Sequence, residues 1–186
     1  ASYSVATLKG PTGMGLASLM DKAAKGETAN TYAFTLAGDP TAVSASVIKG
    51  EVDIACVPVN LASVLYTKTN GAYVCVAVNT LGVLYICELG DTVNTVADLR
   101  GKTIFSAGKG ATPEYALEYV LRANGLDPTT DVTIEWKSEH AECLAALLAE
   151  KNAIAMLPQP FVTAAQTKVE GLKVALNLNE EWQKAN

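Results

Sequence analysis

Two glycine-rich stretches carry the residues best suited to chemistry: Lys9-Gly10-Pro11-Thr12-Gly13-Met14-Gly15 and Ser106-Ala107-Gly108-Lys109-Gly110-Ala111-Thr112-Pro113. Each follows a β-type run and precedes a helical pattern. Glycine lets bare backbone N–H groups approach a ligand, and a helix start adds about half a positive charge. Such a loop can hold a carboxylate, sulfonate, phosphate or the polar edge of a ring. Neither stretch is a P-loop, because Lys109 is followed by Gly110 and Ala111 instead of the GK[ST] ending. A purely conformational role for the glycines, a tight strand-to-helix turn, is the competing reading. Recurrence of Lys-Gly-x-Thr at 9–12 and 109–112 favours the binding role.

Catalytic constellations are missing from the sequence. It has no GxSxG elbow, no HExxH and no acidic cluster at metal spacing. The one histidine, His140, lies beside Glu139 and Glu142 at a helix start, and is expected to be solvated there. Asp53 falls at a strand start, the wrong end of the strand for a site in parallel α/β architecture. The sequence therefore predicts no catalytic residue, no metal ligand and no cofactor. Cys56, Cys75, Cys87 and Cys143 form no CxxC and sit in apolar runs, so they are expected to be buried hydrophobes.

The elements that must position these loops alternate along the chain. Strands are predicted at 4–9, 31–37, 52–57, 73–79, 82–88, 103–107, 132–137, 153–157 and 172–178. Helices are predicted at 14–25, 40–49, 60–68, 113–124, 139–150 and 160–168. Asp39-Pro40 and Thr112-Pro113 place a capping residue before proline at the first helical position. Thr95 to Asp98 has capping-box spacing and starts a short helix. Strands linked by crossover helices predict parallel sheets and the α/β class.

The 186 residues allow one large domain or two small lobes. Sliding the chain on itself by 100 residues decides for two. Ile54-Ala55-x-x-Pro58 meets Ile154-Ala155-x-x-Pro158, and Thr67-Lys68-x-x-Gly71 meets Thr167-Lys168-x-x-Gly171. Only 13 of 86 paired positions are identical, so the inference rests on the order of elements, which recurs in register. Residues 1–80 are expected to form a first lobe lacking a returning C-terminal segment. Residues 81–180 would form the crossover and second lobe, and 181–186 the start of the return.

Composition sets further bounds. The 29 alanines and 18 valines, against 6% aromatic residues, predict a core of small aliphatic side chains. A net charge of −5 argues against sequence-independent nucleic-acid binding, which needs a basic footprint. No apolar run reaches the length of a membrane span. Residues 86–170 hold seven basic and twelve acidic side chains, so a bound anion must be held by local donors, not by long-range attraction.

Leu8-Lys9-Gly10-Pro11-Thr12-Gly13, Gly50-Glu51-Val52-Asp53-Ile54-Ala55, Asp98-Leu99-Arg100-Gly101-Lys102-Thr103-Ile104 and Gly110-Ala111-Thr112-Pro113 resemble the type II solute-binding proteins of ABC importers. The likeness runs along the whole chain and favours the branch that includes nitrate-, sulfonate-, taurine- and thiamine-precursor-binding proteins. It implies two similar three-layer α/β lobes with a ligand cleft between them, closing by a hinge. It implies ligand contacts from Thr12, Gly13, Asn60, Thr80, Ser106, Lys109, Gly110, Ala111, Thr112 and Gln159. It further implies a small-molecule ligand, ABC permease transmembrane subunits as partners, and a place in the periplasm or at the outer face of the membrane. Membrane association would come only through a removed N-terminal lipid anchor. An enzyme or ligand-sensing domain on the same scaffold, such as one in pyrimidine-precursor metabolism, is the alternative.

Overall fold

A computed structural model describes residues 1–186, which divide into two compact units, Ala1–Leu81 and Gly82–Asn186. Both are α/β, as the alternation of elements predicts.

The first unit contains β1 (Ser2–Leu8), α1 (Pro11–Met14), α2 (Ala17–Ala24), β2 (Thr31–Ala37), α3 (Pro40–Ile48), β3 (Ile54–Cys56) and α4 (Val59–Lys68). Its sheet has the order β2-β1-β3, all parallel, with Val5 opposite both Phe34 and Ile54. Asp39 caps α3 by accepting from the Thr41 N–H at 2.6 Å, while Pro40 supplies the first helical residue. Ala6, Leu8 and Val43 form the buried core, joined by Ala37, Val52, Ala55 and Val57. Asp53 latches the N-terminal end of this sheet, accepting from the Ser4 N–H and hydroxyl at 2.7 Å each. Those bonds, the backbone one foremost, hold its carboxyl below the usual range.

The second unit contains β4 (Leu84–Glu88), a 3-10 turn at Val96–Leu99, β5 (Thr103–Ala107), α5 (Thr112–Ala123), β6 (Thr133–Lys137), α6 (His140–Ala149), β7 (Ile154–Pro158), α7 (Phe161–Lys168), β8 (Lys173–Asn177) and α8 (Leu178–Lys184). The sheet order is β6-β5-β7-β4-β8, and β4 runs antiparallel to both of its neighbours. One face packs Ile86, Ile104, Met156 and Leu176 with Leu117 and Leu121 of α5; the other packs Cys87, Phe105, Ala155 and Leu157 with Cys143 and Leu147 of α6. Cover on both faces explains why every residue of β7 is buried. Helix α8 lies on α5, with Trp182 and Tyr119 rings 4.0 Å apart.

Three expectations change on the structure. Residues 73–79 form no strand, although the β-branched alternation predicts one; their backbone makes no ladder and Val74, Val76 and Val78 are exposed. The predicted helix 14–25 breaks into α1 and α2 around Gly15 and Leu16, whose backbone is helical but whose hydrogen bonds do not run through. The cysteines are not uniformly buried: Cys87 and Cys143 are, Cys56 is half-buried and Cys75 is exposed.

Candidate functional site

In a parallel sheet, loops that leave the carboxyl ends of the strands lead into helix starts on one edge. The first unit has two such loops side by side, because β1 pairs with β3 from Val5–Ile54 to Thr7–Cys56. The loop after β1 is drawn tight against its strand. Gly10 has φ of 120°, a conformation that favours glycine, and a Cβ on Gly13 would fall 2.5 Å from the Leu8 carbonyl oxygen. Thr12 sits half-buried in α1, beside Gly13. Asn60 is the second residue of α4, just past β3, and is half-buried.

Thr80 joins this cluster as an anchor. Its hydroxyl donates to the Pro11 carbonyl at 3.0 Å, and the neighbouring Asn79 amide donates to the Thr12 carbonyl at 3.1 Å. Asn79 also fills the space beside Gly15, where a Cβ would lie 2.6 Å from its Nδ2. Asn79 is therefore a positioning residue that the motif reading missed. Its signal was in the repeat, where Asn179 matches it at the 100-residue offset, although Asn179 itself packs beside Gly82.

The second unit repeats the arrangement after β5 and β7. Gly108 and Gly110 both adopt positive φ, 82° and 76°. Ala111 is buried and caps α5, and Thr112 opens that helix half-buried. Lys109 is exposed at the tip of the loop. The Gly110 N–H donates to the Glu114 carboxylate at 2.5 Å, so the chain places its own anion at this helix start. Gln159 follows β7 and caps α7, its Oε1 accepting from the Thr163 hydroxyl at 3.0 Å and from the Thr163 N–H at 3.3 Å. That leaves its NH2 as the group it can offer a ligand. Ser106 differs from the rest of its loop. It lies inside β5, fully buried, with its hydroxyl 3.5 Å from the Ala107 carbonyl.

His140 corrects another expectation. It is half-buried at the start of α6, its ring 5.7 Å from that of Phe161, and its Nδ1 is buried without a hydrogen-bond partner. Burial pulls its pKa down to about 4, so the imidazole is neutral at pH 7. The buried Glu88 at the end of β4 is charged by contrast. Burial pushes its carboxyl up, but bonds from the Thr92 hydroxyl and from the Thr92 and Val93 N–H groups, together with Lys102, outweigh that and leave it lowered. Glu88 fastens the 88–93 turn and takes no part in the loop cluster. No three His, Cys, Asp or Glu side chains are grouped to hold a metal ion, and no helix is long and apolar enough to cross a membrane.

Each unit thus presents a glycine-rich helix start next to a second strand-end loop bearing an amide: Thr12 and Gly13 with Asn60 in the first, Lys109 to Thr112 with Gln159 in the second. The backbone N–H groups and amide side chains of these loops can donate hydrogen bonds, and no nucleophile–base pair stands among them.

The fold is shared with known proteins. Among solved structures, the chain is similar to the periplasmic aliphatic sulphonate binding protein SsuA from Escherichia coli, at 22% identity and a TM-score of 0.69 over 96% of this chain and 61% of that one. It is similar to the periplasmic nitrate-binding protein NrtA from Synechocystis PCC 6803, at 15% identity and 0.68 over 96% and 52%. A binding protein of an ABC phosphonate transporter from Pseudomonas aeruginosa matches at 13% identity and 0.65 over 99% and 72%. The chain spans about three-fifths of the length of SsuA. No curated protein sequence matches it. A family model described as "ABC transporter, phosphonate, periplasmic substrate-binding protein" matches residues 23–176, across both units. The chain belongs to this family of periplasmic substrate-binding proteins of ABC transporters.

Proposed function

We propose that this chain captures a small solute for an ABC importer and delivers it to the permease's transmembrane subunits, in the periplasm or at the outer face of the membrane, tethered there by an N-terminal lipid anchor. The observation that supports this reading most is the recurrence of one binding device, a Lys-Gly-x-Thr strand-to-helix loop, in both units of a chain whose family match covers both. Solute binding shifts the population toward the conformation that holds it. Thr12, Gly13, Asn60 and Thr80 serve from the first unit; Lys109, Gly110, Ala111, Thr112 and Gln159 serve from the second. Ser106, buried in β5, acts by supporting the loop from beneath.

The similar proteins are named for phosphonate, sulphonate and nitrate, all oxyanions that accept several N–H and O–H bonds at once. An oxyanion therefore heads the ligand classes for this chain. Its net charge of −5 means that such an anion is held by nearby donors. In the second unit it must compete with Glu114 for the Gly110 N–H. The direct test is a thermal-shift screen with methylphosphonate, alkanesulfonates and nitrate, with pyrimidines and flavin-like molecules as controls. Saturable stabilisation by an oxyanion supports the reading. Turnover of a compound without stabilisation by any of them overturns it in favour of an enzyme.

A further inference from the structure

Asparagine followed by glycine is chemically labile, because no Cβ shields the glycine nitrogen from the asparagine side chain beside it. The chain has two such pairs, Asn70-Gly71 and Asn124-Gly125. Each stands at the end of a helix, α4 for the first and α5 for the second. Both asparagines are exposed. Surface position therefore does not separate them, but their hydrogen bonds do.

Asn124 is held on both sides. Its Nδ2 donates to the Val120 carbonyl at 2.8 Å, which fixes the amide that deamidation would have to expel. The Gly125 N–H donates to the Arg122 carbonyl at 3.0 Å, and the Gly125 carbonyl accepts from the Arg100 guanidinium at 3.1 Å. The next residue, Leu126, is buried in the core with Val120 and Leu121. Turning the Gly125 nitrogen toward the Asn124 side chain disrupts all of these contacts together. Asn70 has only the backbone half of this arrangement. The Gly71 N–H donates to the Tyr66 carbonyl at 2.8 Å and the Asn70 N–H to the Thr67 carbonyl at 3.2 Å, but the Asn70 carboxamide holds no partner. Its φ of 52° is left-handed, so leaving this turn relieves a conformation that residues other than glycine seldom adopt. The residue after the pair is Ala72, whose methyl gives no anchor like that of Leu126. The last turn of a helix held by so little opens at low free energy.

We propose that Asn70 is a site of spontaneous deamidation and that the fold protects Asn124 from the same reaction. When the last turn of α4 opens, the Gly71 nitrogen attacks Cγ of Asn70. The new N–Cγ bond forms, the Cγ–Nδ2 bond breaks, and the proton of the attacking nitrogen leaves with the amide as ammonia. Water then opens the succinimide ring at either carbonyl, giving aspartate or isoaspartate, with no oxidant or reductant involved. Loss of ammonia makes the change irreversible. Either product adds one negative charge to a chain whose net charge is −5. That charge falls just past the C-terminal end of α4, where the helix dipole is itself negative and Lys68 is the basic residue of the last turn.

The test is incubation of the folded chain at mildly alkaline pH and body temperature, followed by isoelectric focusing and peptide mass spectrometry. The expected result is a new band one charge more acidic, and a gain of about 1 Da in the peptide that holds Asn70, from NH2 replaced by OH. That peptide should resolve into aspartate and isoaspartate forms while the Asn124 peptide keeps its mass. Asn70 should react about tenfold faster or more, the factor that each 1.4 kcal/mol of extra opening free energy at Asn124 supplies. In urea the two pairs should react at similar rates, because the fold no longer distinguishes them. Asn70→Gln should remove the acidic band, since the longer side chain closes its ring far more slowly. Equal rates at the two pairs in the folded chain, or faster reaction at Asn124, overturn the proposal. So does a folded chain that leaves Asn70 intact while the urea-unfolded chain reacts there.

Discussion

His140, Glu88 and the cysteines show how burial resets side chains that sequence reading could only classify by type. The imidazole has a pKa of about 4 in the fold against 6.5 for an ordinary histidine, so the unfolded chain takes up its proton first on acidification. Stability from this group is complete above pH 6.5 and is lost as pH falls toward 4. Urea unfolding of His140→Leu should therefore show a flatter pH dependence than the parent across that window. Glu88, also depressed, adds to the loss at lower pH, where its carboxylate must be protonated against its Thr92 and Val93 donors. The thiols of Cys87 and Cys143 are pushed up to about 12 by burial, which leaves them as thiols at neutral pH. Thiol titration should find Cys75 reacting at once, and Cys87 and Cys143 only after unfolding. The sequence could not tell these cysteines apart because all four lie in apolar runs. What separates them is whether the run found a neighbouring strand.

At the scale of elements, proline and glycine punctuation made most helices legible to within a residue or two. Asp39-Pro40 and Thr112-Pro113 open α3 and α5, and Thr95-x-x-Asp98 opens the 3-10 turn with both capping-box bonds present. Residues 73–79 were misread because alternation reports a half-buried surface only where a second strand completes it. The glycine-rich loops were legible as motifs, but their fastening was not. Asn79 and Thr80 reach back some 67 to 69 residues to hold the loop after β1, a contact that no local pattern encodes. Asn79→Ala should release that loop, seen as faster hydrogen exchange at residues 10–15 with the second unit unchanged. Gly13→Ala tests the same packing from the other side. A Cβ 2.5 Å from the Leu8 oxygen forces a backbone shift and should cost about 1–3 kcal/mol in unfolding free energy.

For the molecule as a whole, the 100-residue self-offset carried more than any motif. It pointed to two similar α/β units and to the paired Lys-Gly-x-Thr loops. Ligand identity was not legible, since Thr, Asn, Gln and backbone N–H groups serve many solutes alike. The proposed function stands on these loops holding a solute. Isothermal titration of the chain with methylphosphonate, ethanesulfonate and nitrate tests that claim most directly, using Thr112→Val for the second unit and Asn60→Ala for the first. The account predicts one saturable site for at least one of these anions. Each variant should weaken it about tenfold, the effect of losing one hydrogen bond to a charged group, with little change in melting temperature. Saturable binding left unchanged by both variants, or no binding of any oxyanion, would contradict it.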